Sequence, residues 1–103
     1  VLEHVFISDI PHVLYEIFNH AKELVVINVA CYRASALLPN NENAHITVRP
    51  PLWWKGSVDT VASNFPSIKY SLITSIEYKK AHVYPSTSHD TQIKNHKFVA
   101  LDL

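Results

Sequence analysis

The apolar positions along the chain fall into runs of two periods. Val1 to Ile7 is apolar except for Glu3 and His4, and Ser8-Asp9 then offers a helix cap with Pro11 suited to the first turn. Val13, Leu14, Ile17, Phe18 and Ala21 recur at helical spacing. His12, Glu16, Asn19, His20 and Lys22 fall mostly opposite them, which predicts an amphipathic helix over residues 10–22. The next run, Leu24-Val25-Val26-Ile27-Asn28-Val29-Ala30-Cys31, is nearly continuous and rich in β-branched residues. It predicts a strand buried on both faces, the state of a central parallel strand under helices. Asn28 is its one polar residue and so needs hydrogen-bond partners there.

Residues 33–51 break the pattern. Pro39-Asn40-Asn41-Glu42-Asn43 is turn-rich, and Arg49-Pro50-Pro51 stops any regular element. A second helix is predicted over 51–64, with Trp54, Val58, Val61 and Phe65 as its inner stripe and Pro66 as its end. A second strand follows over 68–77, with Tyr70, Leu72, Thr74 and Ile76 alternating against Ser71, Ile73, Ser75 and Glu77. The span 79–95 is polar, with Pro85-Ser86-Thr87-Ser88 as the expected turn centre, and a third strand is predicted over 96–102. The last two strands read as a long-looped antiparallel hairpin. The fold class is therefore α/β: about three strands, two main helices and one domain. A long connection leaving the end of a buried parallel strand is where such folds place their sites.

Composition removes whole classes of function. The chain has 103 residues and a single glycine, Gly56, where average usage gives about seven. No P-loop and no G-x-G-x-x-G turn can be built from it. Nine basic residues balance nine acidic ones, which argues against a nucleic-acid track. The pair Lys79-Lys80, and Lys94 and Lys97 around a histidine, read as solvated faces. Cys31 is alone, so no intrachain disulfide forms, and its apolar surroundings argue against a nucleophile. No apolar stretch approaches the ~18 residues of a membrane helix and no signal peptide is visible, so a cytoplasmic protein is expected. Seven histidines invite a metal reading. His82, His89 and His96 recur in a polar span, however, and no pair has common zinc-site spacing, so no metal is expected.

Val1-Leu2-Glu3-His4-Val5 followed by Asp9-Ile10-Pro11 resembles a stretch of class I S-adenosylmethionine-dependent methyltransferases that follows their fourth strand. Asn43-Ala44-His45-Ile46-Thr47-Val48-Arg49-Pro50-Pro51 with Trp53-Trp54 resembles a subgroup in which a His-containing segment precedes a helix on the substrate side. The resemblance covers essentially the whole chain. It implies the C-terminal half of a Rossmann-like sheet, in the order 24–31, 96–102, 68–77. The family's glycine-rich cofactor loop has no counterpart, so the resemblance implies a cofactor-binding half preceding Val1. The scarcity of glycine and the absence of an initiator Met accord with that expectation.

By the same resemblance, Glu3 and His4 lie beside the cofactor and acceptor, with His4 as a general base or orienting group. Some family members hold a divalent metal with an equivalent Glu and His. From their place in the long loop after the buried strand, His45 is read as a proton acceptor or substrate contact and Arg49 as a clamp for a carboxylate or phosphate, and Trp53 or its neighbour Trp54 as a wall of the acceptor pocket. Each residue also has a plainer reading, as a loop cap, a loop histidine, a charge-neutralising arginine or a core aromatic.

Two functions follow. One is the acceptor-side fragment of a methyltransferase-like protein acting on a small molecule, inactive alone, with S-adenosylmethionine belonging to the complete protein. The other is a non-catalytic α/β module that forms a homo-oligomer through strand 24–31 or the N-terminal segment, because a central-type strand with one neighbour leaves an open edge.

Overall fold

The structure is a computed structural model that describes residues 2–33, 45, 47–77, 79–86 and 98–102. The expected turns at Pro39–Asn43 and at residues 87–88, together with His89, Lys94, His96 and Lys97, lie outside them. Two short 3-10 turns, Leu2–His4 and Ile7–Asp9, lead into α1, Ile10–His20. The chain then forms β1, Leu24–Ala30; α2, Pro51–Ala62; β2, Lys69–Glu77; β3, Lys80–Pro85; and β4, Val99–Asp102. Both helices carry a proline in the first turn, where its missing N–H costs nothing.

The fold is α/β with a four-stranded mixed sheet in the order β1-β2-β3-β4. β1 and β2 are parallel, from Leu24 opposite Lys69 to Ala30 opposite Ser75. β2–β3 and β3–β4 are antiparallel. The predicted count of three strands and the predicted order are both corrected. Strand 99–102 does not enter between the other two, and does not pair with β2 at all. The chain reverses after Glu77, with Lys79 in the left-handed region at φ 65°, and Lys80–Pro85 returns directly along β2. Sequence patterning passes over this turn because it has no Gly, and passes over β3 because histidine, lysine and proline dilute its alternation. The last strand is antiparallel to β3, its one partner among the described residues.

The helices cover one face of the sheet. Ile10, Leu14 and Phe18 of α1 and Trp54, Val58 and Val61 of α2 pack on Val25, Ile27, Val29, Tyr70, Leu72 and Tyr84. Ile17, expected in the stripe of α1, stays exposed, and Phe65 lies beyond the end of α2, stacked on Phe18. β1 is not buried on both faces. Its burial alternates, with Leu24 60% and Val26 61% exposed. Asn28 is exposed as well, accepting a long 3.5 Å bond from the Ser75 hydroxyl, so it is no buried polar group. A continuous apolar run does not reveal which face lacks a covering layer.

The helix layer hides one ionic group. Lys55, 1% exposed, donates to both carboxylate oxygens of Asp59 at 2.9 and 3.0 Å. The Tyr70 hydroxyl bonds to both side chains, and the ammonium lies 4.9 Å from the Tyr70 ring centroid. The i,i+4 spacing joins Lys55 to Asp59 within α2, and Tyr70 ties the pair to β2. Removing one partner strands a buried charge, whereas replacing both with apolar groups of similar volume does not. Asp59→Ala should cost about 3–5 kcal/mol. The double variant Lys55→Met/Asp59→Leu should recover most of it, as read from urea unfolding midpoints.

Candidate functional site

The site forms at the carboxyl end of β1, where three separate segments meet. After Ala30 the chain continues along β2, with Cys31 N–H donating to the Ser75 carbonyl at 2.7 Å. The alternation of a strand then aims the Ala30 N–H away from β2, and the Glu3 carboxylate accepts it. The first 3-10 turn is thereby placed at the outer edge of β1. Glu3 is 7% exposed there. Burial pushes its carboxyl pKa up, but hydrogen bonds, among them those from backbone N–H groups, outweigh this, so the net direction is below the ordinary carboxylate value.

Thr47 brings in the third segment. Its N–H donates to the Glu3 carbonyl at 3.0 Å and its hydroxyl to the Val5 carbonyl at 2.6 Å. These two bonds fix the register of residues 47–49 against residues 3–7. His45 then lands between Tyr32 and Glu3. Its Nδ1 lies 2.5 Å from the Tyr32 carbonyl oxygen, an acceptor, so Nδ1 carries the proton and donates it. Nε2 is turned to Glu3 Oε1, 4.0 Å away. His4 approaches the same oxygen at 3.8 Å through Nε2, and the two imidazoles meet edge to face, centroids 5.0 Å apart.

Glu3, His4 and His45 were each singled out in the sequence, and the structure brings the three together. One ligand atom from each lies within 4.8 Å of the others. A carboxylate and two imidazoles at that range can relay a proton or take a divalent cation, since both jobs need the same mixed oxygen and nitrogen donors. The spacing rules for zinc sites do not register this grouping, because Glu3 and His45 come from segments far apart in the chain.

Arg49 lies beside this group, lining a cavity of about 390 Å³ with Phe6, Ile7, Arg33, His45, Thr47 and Val48. Arg33 and Thr47 were not singled out in the sequence. The only signal for Arg33 was its place just past the strand end. Trp53 does not join the cavity. It packs partly buried against the core and edge to face with Trp54, which is fully buried.

Cys31 adjoins the site. Burial, and then the negative charge of Glu3, push its thiol up to about 11 from an ordinary 9.0. The thiolate is the reactive form, so near neutral pH its population falls about a hundredfold below that of an unperturbed thiol. Alkylation by iodoacetamide should therefore be correspondingly slow at pH 7.5 and rise until about pH 11. Glu3→Gln removes the repelling charge and should move that rise to lower pH, as followed by mass spectrometry.

Compared with protein-family models, curated proteins and solved structures, this chain matches none.

Proposed function

We propose that the chain is the acceptor-side part of a class I methyltransferase-like protein, working on a small-molecule acceptor. The observation that carries this reading is the convergence of Glu3, His4 and His45 at the carboxyl end of the parallel pair β1–β2. Ligands of open α/β sheets bind at that end. The reading does not draw on the sheet order, which departs from the one the resemblance implies.

The residues of this chain do not fit S-adenosylmethionine by themselves. Its one glycine, Gly56, lies inside α2 and not at a strand end, so no backbone turn can approach a nucleotide closely. No step through the cofactor is therefore derived. The acceptor-side work falls to the cluster. His45 is oriented by the Tyr32 carbonyl and presents Nε2. His4, half-exposed and next to the buried Glu3 carboxylate, is placed to take the proton of an acceptor hydroxyl.

Calorimetry should show no binding of S-adenosylmethionine to residues 1–103, and binding to the product of the complete reading frame. Micromolar affinity in the former, or none in the latter, overturns the proposal.

A second reading, a module that self-associates through β1, is favoured by one observation. Among the described residues the outer edge of β1 pairs with no strand, and Leu24 and Val26 stand exposed beside it. It requires a dimer by light scattering that Val26→Lys dissociates. A monomer at high concentration rules it out.

A further inference from the structure

We infer that the cavity beside the cluster selects an anionic small molecule, with a carboxylate or phosphate head on an apolar body. This deepens the acceptor-side reading above and rests on it for the identification of the ligand as an acceptor.

The chain as a whole carries no net charge, but the described part of the cavity wall is one-sided. Arg33 and Arg49 both line it, and among the described residues no aspartate or glutamate does. Glu3 lies 4.0 Å from His45 Nε2 but does not line the cavity. Among the described residues, neither guanidinium is engaged in an ion pair. Two guanidiniums around one space repel each other, and an anion between them removes that cost. Their planar forks match a carboxylate or phosphate in two parallel hydrogen bonds.

The rest of the wall defines the body of the ligand. Phe6 is 60% exposed and Ile7 44%, large apolar surfaces left facing solvent at the mouth of a concave space. Val48 adds a further apolar patch, and Thr47 and His45 supply polar groups beside the two arginines. Apolar surface beside convergent polar groups suits a small molecule with an apolar body, and about 390 Å³ lies within the range of small-molecule sites. The arrangement is held by hydrogen bonds to three backbone carbonyls. The Thr47 bonds fix residues 47–49 against Glu3 and Val5, and the His45–Tyr32 bond holds the His45 ring beside the end of β1. A head group on the arginines would set the near end of the body against His45, and so next to the Glu3–His4–His45 cluster.

The test uses phenyl phosphate and benzoate as anionic probes and benzyl alcohol as the neutral control, followed by calorimetry and amide NMR. At least one anion should shift the amides of Thr47, Val48 and Ile7, and its affinity should fall as salt is raised. The tighter of the two identifies the head group. Arg33→Gln and Arg49→Gln should each weaken that binding by about tenfold. Both side chains are exposed, so the variants should keep the wild-type amide spectrum elsewhere. The inference is overturned if neither anion binds, if benzyl alcohol binds as tightly at the same amides, or if both variants bind like the wild type. Anion binding here without S-adenosylmethionine binding by the full reading-frame product would remove the methyltransferase reading and leave the pocket. The converse would remove the pocket alone.

Discussion

The parallel pairing of β1 with β2 is the constraint on which the rest of the molecule depends. Two parallel strands cannot be joined by a tight turn, so the chain must leave one end of the sheet and return to the other. Here the return includes α2, which together with α1 buries Val25, Ile27, Val29, Tyr70 and Leu72. The departure is the long connection after Ala30. Its length is what allows His45 and Arg49 to lie beside the end of β1 while Pro50 and Pro51 still start α2 on time. The outer end of the sheet thus collects irregular backbone from three places, and the polar side chains carried there share one space.

Irregular backbone at that end must satisfy its own hydrogen bonds. Thr47 does much of this, using its main chain on Glu3 and its side chain on Val5. The same two bonds place His45, whose ring then bonds to Tyr32. Structure and chemistry are coupled here. The groups that tie the loop down are the neighbours of those that could act on a ligand. Glu3 belongs to both sets, since its carbonyl holds Thr47 and its carboxylate faces two imidazoles. Its charge also reaches Cys31 and helps keep that thiol protonated.

The buried Lys55–Asp59–Tyr70 group serves a different purpose. It lies under α2, tied to Tyr70 at the amino-terminal part of β2, away from the cluster. A buried ion pair is weak evidence for stability but strongly restricts geometry, because its hydrogen bonds tolerate little displacement. It fixes α2 against β2 in one arrangement, a job that apolar packing by Trp54, Val58 and Val61 does less selectively.

What the sequence determined by itself was local. Periodicity and proline placement located α1, β1, α2 and β2 within a few residues, and alternation named the buried side of β2. Glu3 and His4 stood out through a resemblance to a known family, and His45 through its chemical type and its place in the long loop. Tertiary structure decided everything that depends on distant partners. The face of β1 that is covered follows from where both helices pack, and a run of valines and isoleucines carries no mark of it. The sheet order follows from the turn at Lys79, which lacks the glycine that would have announced it. Nothing in the local pattern of α2 marks Lys55 as buried; its pairing with Asp59 and Tyr70 does that. The meeting of Glu3, His4 and His45, with Arg33 and Arg49 around the neighbouring cavity, arises from hydrogen bonds between segments some forty residues apart. No spacing rule along the chain records such a meeting, because it is set by the return path of the loop and not by the period of any one element.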